Sequence, residues 1–262
     1  METNLLIISN EIVKWIKDYV ETNRLNSLVV GVSGGVDSGL VSTLCAKTEL
    51  PTYIVSLPIQ QEQKQLERAR NHCKWLTSNF KNVEAVEIDL TEVNNTFVNK
   101  FTDTKFKSKL GFANSRSRLR MVTLYQIAQS VNGIVVGTGN KIEDFGVGFY
   151  TKYGDGGVDI SPIADLTKTE VKQMAAILDA PDYIVNAIPT DGLWEDDRTD
   201  ENQIGASYEE LEWAMNYENT FSLTKNIKFP KLSERQNEVL KIYKNFNTKN
   251  NHKMIPIPVF RK

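Results

Sequence analysis

Cysteine and histidine are scarce. The 262 residues include Cys45 and Cys73, with no CxxC pair, and only two histidines, His72 and His252. A disulfide framework is excluded, and zinc and iron–sulfur centres are not expected. Reduced thiols of a cytoplasmic protein are the simpler reading. No stretch approaches the ~20 consecutive apolar residues a membrane-spanning helix needs. The first twenty residues, METNLLIISNEIVKWIKDYV, carry no basic leader and no small-residue cleavage site, so no signal peptide is expected. An excess of charge is missing too: 31 Lys and Arg stand against 33 Asp and Glu, a net charge of -2. That balance speaks against wrapping nucleic acid as the main task. There is no internal repeat, no low-complexity tract and no linker-like shift in composition. What remains is ordinary: 40% hydrophobic and 24% charged residues, the profile of a globular chain. One domain over residues 1–262 is expected, large enough to bury a full core without staples.

Apolar spacing supplies the elements. Leu5, Ile8, Ile12, Trp15, Ile16 and Tyr19 recur at helical spacing over residues 5–22. The β-branched run 27–33 reads as a buried strand. Helix is expected at 37–48, strand at 52–57, a charged amphipathic helix at 60–79 and strand at 83–90. Helix returns at 91–101. A polar, lysine-bearing loop follows over 102–115, then helix over 115–131 and a fourth buried strand, Gly133–Gly137 (GIVVG). A glycine-rich stretch runs from Gly137 to Gly157, and a helix opens at Thr167 or Thr169. Acidic turns fill 190–206, and helices at 207–219 and 233–248 precede a basic tail. Strands alternating with helices mean a doubly wound, mainly parallel sheet flanked by helices, here with a helical C-terminal extension.

The most informative string is Ser33-Gly34-Gly35-Val36-Asp37-Ser38, placed where the first strand ends and a helix begins. In an open α/β sheet, ligands bind at such turns. Glycines let backbone N–H groups approach an anion, the helix N-terminus favours phosphate, and Asp37 can hold a divalent cation on phosphate oxygens. The string is neither a Walker A loop nor the dinucleotide GxGxxG pattern. It resembles the pyrophosphate loop of the ATP pyrophosphatases, whose fold is the adenine nucleotide alpha hydrolase-like sheet. Those enzymes split ATP between its α- and β-phosphates.

Further segments narrow the resemblance. Arg116–Tyr125 (RSRLRMVTLY), Gly137-Thr138-Gly139-Asn140 with Glu143, and Gly148–Asp159 (GFYTKYGDGGVD) are similar to NAD synthetases. So are Ser161-Pro162, Leu166-Thr167-Lys168, Pro189-Thr190, Asp200-Glu201 and the terminal His252-Lys253 with Pro256. The resemblance runs from about residue 10 to the end. It implies that Gly31, Val32, Ser33, Gly34, Gly35, Val36, Asp37 and Ser38 surround the ATP phosphates, and that Thr138, Lys168 and Thr190 also contact ATP. It assigns magnesium to Asp37 and Glu143, and deamido-NAD to Arg118, Lys152, Asp159, His252 and Lys253. One extra residue lies between Glu143 and Gly148-Phe149, and Asp191-Gly192-Leu193 departs from the commoner string.

The implied chemistry is amidation. The nicotinate carboxylate attacks the α-phosphorus of ATP, releasing pyrophosphate, and ammonia then displaces AMP. Both first partners are anionic, so a magnesium ion and Lys168 would offset the charge that develops. No dedicated base is evident; Asp155, within KYGDGG, is the candidate for orienting or deprotonating ammonium. Only one helix precedes the first strand, so no glutaminase domain is expected and free ammonia is the implied nitrogen source. The resemblance also implies a homodimer. Alternatives are action on nicotinic acid mononucleotide, a tRNA-modifying or GMP-forming member of the loop family, and a non-catalytic nucleotide sensor. The missing paired cysteines and basic surface count against tRNA. Trp194, in the acidic segment, is a candidate for a moving lid.

Overall fold

Residues Ser27–Gly31 (β1) are buried on both faces, so the continuous apolar run SLVVG forms a central strand and not an alternating edge. In this computed structural model β1 pairs in parallel with β2 (Thr52–Ser56) on one side and β4 (Gly133–Val136) on the other. β3 (Val83–Glu87) adds to the far side of β2, giving the order β3-β2-β1-β4. A parallel bridge from Val136 to Ile160 prolongs the pairing past β4. The structure describes residues 2–190, 192–193, 198–223 and 231–262. Asp191 and Trp194–Asp197, including the expected lid tryptophan, lie outside the described residues.

Helices cover both faces. Leu28 and Val30 share a core with α1 (Glu2–Thr22), α2 (Val36–Lys47) and α6 (Lys168–Ile177). Val29, pointing the other way, packs with Val55 and Val135 under α5 (Lys109–Ser130). α3 (Gln63–Asn79) closes the α2 face through Ala69, Cys73 and Leu76. Helix α2 is buried along nearly its whole length. It tolerates this because Ser42 and Thr43 donate their hydroxyls to the Ser38 and Gly39 carbonyls one turn back. α4 (Thr91–Asn99) runs beside α5.

The C-terminal layer has its own core. A π-helical turn (Ile142–Val147) packs Ile142 and Val147 against α8 (Asp200–Ile204), α9 (Tyr208–Leu223) and α10 (Glu234–Met254). The extra residue noted after Glu143 falls in this turn. A single inserted residue is what a π turn accommodates. Gly148 ends it at φ 62, a left-handed cap, and the next residue, Phe149, donates its N–H to the Glu143 carbonyl at 2.9 Å.

Several elements differ from the sequence reading, among them α8, which forms inside the expected acidic turns. α5 begins at Lys109, inside the expected 102–115 loop, because the Ser108 hydroxyl caps it by accepting from Gly111 N–H. α10 continues to Met254, so His252 and Lys253 belong to a helical turn and not to a tail. Asn247 and Asn250 donate to the Gly146 and Val147 carbonyls, which ties that polar end to the π turn. A short helix, α7 (Asp182–Val185), also forms where none was expected. No helix among the described residues is long and apolar enough to cross a membrane.

Candidate active site

Consecutive strands step outward from β1 to β2 to β3, and the chain then returns to β4 on the other side of β1. The crevice beyond the carboxyl ends of β1 and β4 is therefore the topological switch point, where open α/β sheets bind ligands. A cleft of about 630 Å³ opens there. It is lined by Gly31, Val32, Ser33, Gly35, Val36, Asp37 and Ser38 from the loop after β1. Thr138, Glu143, Lys168 and Thr190 line it from later segments.

The loop is drawn tight by its own hydroxyls. Ser33 N–H donates to Ser38 Oγ at 3.2 Å, Gly35 N–H donates to Ser33 Oγ at 3.3 Å, and Ser38 Oγ donates back to the Gly35 carbonyl at 3.0 Å. Gly34 turns away from the cleft. Its φ is +85, and a Cβ there would stand 2.8 Å from the Gln65 carbonyl of α3. Glycine is needed at that position for the turn and for its close approach to α3.

Behind the loop lies a buried charge cluster. The Lys168 ammonium is 2.5 Å from Asp37 Oδ2 and 3.0 Å from Glu143 Oε1. Lys168 is only 3% exposed, so it requires those partners. Burial works against its charge, but the two carboxylates outweigh burial and push its pKa upward. Burial raises the Asp37 pKa. It works the same way on Glu143, where Lys168 and the Tyr208 hydroxyl overcome it and hold the carboxylate ionised. Asn140 organises the pair: Nδ2 donates to Asp37 Oδ1 at 3.0 Å, and Oδ1 accepts the N–H groups of Ile142 and Glu143. Lys168 stands at the start of α6, where Thr167 and Glu170 form a reciprocal capping box. Next to the cluster, the Asp144 carboxyl packs on Gly139. Burial, and then Glu143, Asp155 and Asp37, push it up to about 8.

A second group rims the cleft. Arg118 Nε and Nη2 donate to the Lys152 carbonyl at 3.3 and 3.2 Å, and Lys152 Nζ donates to the His252 carbonyl at 2.8 Å. Three of the residues expected to touch the pyridine substrate thus form one chain from α5 through the glycine-rich loop to α10. Beside them Lys253 Nζ donates to the Tyr150 carbonyl at 2.6 Å and lies over the Tyr150 ring, with its pKa lowered by burial. Asp155 is open to the cleft but walled in by protein, and that burial raises its pKa. Its Oδ1 accepts from Ser117 Oγ at 2.7 Å and Thr151 N–H at 3.0 Å.

Asp159 does not join the lining of the cleft. Its carboxylate accepts the Tyr125 hydroxyl at 3.1 Å and Val135 N–H at 2.7 Å. Thr190 does line the cleft, and its hydroxyl donates to the Arg198 carbonyl. The sequence reading left Asn140, Asp144, Tyr208 and Glu212 without roles. Asn140 ends the Gly137-Thr138-Gly139-Asn140 string, so its sequence position carries a signal. The other three carried no spacing signal.

A parallel sheet with an SGGVDS turn at its switch point, a carboxylate pair and a lysine define a nucleotide-binding protein of the adenine nucleotide alpha hydrolase-like fold. The sequence pattern of the NAD synthase family matches residues 8–256, and the chain belongs to that family. It is 36% identical over 242 residues to an NH(3)-dependent NAD(+) synthetase of Finegoldia magna, covering 92% of this chain and 97% of that one. It is 38% identical over 221 residues to an NH(3)-dependent NAD(+) synthetase of Alkaliphilus oremlandii, covering 81% and 86%. Among solved structures, NMN synthetase from Francisella tularensis superposes with a TM-score of 0.84 at 28% identity, over 98% of this chain and 99% of that one. NH3-dependent NAD synthetase from Campylobacter jejuni superposes with a TM-score of 0.76 over the same shares; at 23% identity it speaks to the fold alone.

Proposed function

We propose that this protein makes NAD from deamido-NAD, ammonia and ATP, releasing AMP and pyrophosphate through an adenylated intermediate. Family membership carries the ligase activity, and the relatives named NH(3)-dependent support ammonia as the nitrogen donor. The observation that fits the reaction to this chain is the Asp37–Lys168–Glu143 cluster behind the SGGVDS turn. A nucleotide drawn onto the loop N–H groups would bring its phosphates to that cluster.

Magnesium suits the same place. One ammonium bridges Asp37 and Glu143, so both carboxylates reach a common cation position. No group of three or more His, Cys, Asp or Glu among the described residues forms a closed metal cage. Two hard carboxylates completed by phosphate oxygens and water are the usual magnesium arrangement. Bound there, the ion would neutralise charge developing on the separating phosphates. Lys168 supplies further positive charge, and its burial keeps it oriented. The Arg118–Lys152–His252 chain and Lys253 are placed to orient an anionic dinucleotide, and Asp155 to orient or deprotonate ammonium.

A homodimer is supported by apolar side chains left exposed on and around α4 and α5, among them Val93, Phe97, Phe106, Leu110 and Val122. A species of only ~30 kDa in sedimentation at working concentration would remove it. A cytoplasmic location is supported by the two buried free thiols, Cys45 and Cys73.

The direct test supplies ATP, magnesium and ammonium with deamido-NAD and follows NAD and AMP. Nicotinic acid mononucleotide is assayed in parallel, because the Francisella tularensis neighbour is an NMN synthetase. Equal amounts of NAD and AMP are expected. AMP formed only with the mononucleotide would replace the dinucleotide reading, and no AMP with either acceptor would refute the ligase assignment.

A further inference from the structure

The C-terminal helices reach into the charge cluster. Tyr208, on the first turn of α9, is 2% exposed, and its hydroxyl donates to Glu143 Oε1 at 2.6 Å. That oxygen is the one the Lys168 ammonium approaches at 3.0 Å. The Tyr208 ring also lies beneath the same ammonium, 4.6 Å from Nζ to centroid. One turn further along α9, Glu212 accepts from Thr169 N–H at 2.9 Å and from Thr169 Oγ1 at 2.8 Å. Residues at i and i+4 share a helix face, so one face of α9 holds both the cation cluster and the first turn of α6. The start of α9 is fixed in turn, because Tyr208 N–H donates to Glu201 Oε1 at 3.0 Å.

We infer that Tyr208 is a positioning residue for the cation site, its hydroxyl setting the orientation of Glu143 and its ring setting that of Lys168. The inference rests on the reading of Asp37 and Glu143 as the magnesium-binding pair. A tyrosine suits this position because it is a neutral donor. It satisfies a buried carboxylate without bringing a second cation to compete for it. Its ring face attracts an ammonium and still leaves the ammonium free to donate to oxygen. A tyrosine kept only to fill the core would need its ring and not its hydroxyl. The Phe variant separates those two uses.

The test measures Mn²⁺ binding by electron paramagnetic resonance in the presence of a non-cleavable ATP analogue, alongside steady-state kinetics. Outer partners of metal ligands are commonly worth 10- to 100-fold in affinity. Tyr208→Phe is expected to weaken Mn²⁺ binding about tenfold and to raise the magnesium needed for half-maximal rate by the same factor. The KM for deamido-NAD should stay unchanged. Glu212→Gln, which does not touch Glu143, should leave Mn²⁺ affinity unchanged and lower kcat. Mn²⁺ affinity of Tyr208→Phe within twofold of the parent would overturn the inference. Equal weakening in both variants would also overturn it, since α9 would then be acting only as general support. Should the Phe variant fail to fold, 3-fluorotyrosine at position 208 keeps the ring in place and changes the donor strength of the hydroxyl that bonds Glu143. Mn²⁺ affinity should shift with it, and an unchanged affinity would overturn the inference. Asp37→Asn tests the underlying reading separately: Mn²⁺ binding that survives it would refute the cation pair itself.

Discussion

Lys168 and Asp37 are 131 positions apart in the chain and 2.5 Å apart in space. The lysine serves two purposes there. It faces the nucleotide cleft, and it neutralises two carboxylates that burial would otherwise drive to protonate. Removing one partner of a buried ion pair is far more damaging than replacing both.

Lys168→Met should therefore abolish adenylation and lower stability by about 3–5 kcal/mol. Magnesium should restore part of that stability, because a cation that binds only the native state stabilises it by mass action. Thermal unfolding with and without magnesium checks this. The melting temperature of the variant should rise more with magnesium than that of the parent.

Asp155→Asn separates the two half-reactions. Exchange of labelled pyrophosphate into ATP, which reports adenylation, should persist in the presence of deamido-NAD. Amide formation should fall by about 10²–10⁴-fold if Asp155 takes a proton from ammonium. The acid limb of the pH–rate profile should vanish with it. Normal amidation across the pH range would take Asp155 out of that role.

His72 gives the fold an acid weakness. It is fully buried, with Nε2 2.9 Å from Ser42 Oγ, and burial lowers its pKa to about 4. The unfolded chain takes up that proton near pH 6.5 and the native protein only near 4, so stability is complete above about pH 6.5 and is lost as pH falls towards 4. The loss from this one group is about 3 kcal/mol. Urea unfolding at pH 7 and pH 4.5 measures it, and His72→Gln should flatten the difference.

Gly34→Ala forces a side chain into left-handed backbone and against α3. A cost of about 1–3 kcal/mol is expected, together with weaker ATP binding as the loop shifts. Isothermal titration with ATP should show the loss. Gly35→Ala is the comparison: its φ is ordinary, and a Cβ there would meet only Ser33 Oγ, at 3.4 Å.

Much of this architecture was legible before any coordinates. Buried parallel strands are continuous β-branched runs, so β1 and β4 stood out, and the turn after β1 announced itself by SGGVDS. The end of α10 did not, because its last turns, NTKNNHKM, have little apolar periodicity. Hydrogen bonds donated by the Asn247 and Asn250 side-chain amides to a segment a hundred residues away hold it instead. The acidic run from Asp191 to Glu212 reads, by its sequence, as a solvated face. Asp200 is in fact buried, and Glu212 grips the start of α6. Charge runs carry no mark of which members face inward.

The cation cluster draws on residues 37, 143, 168 and 208, so it is complete only once the last helical layer has docked onto the sheet. Contacts between such distant positions tend to form late, after the loop-closure entropy has been overcome. A nascent or partly unfolded chain can present the SGGVDS turn, yet it lacks the assembled lysine–carboxylate centre. On the proposed role of that centre, ATP consumption would wait for complete folding, and regain of adenylation during refolding would time the arrival of α9.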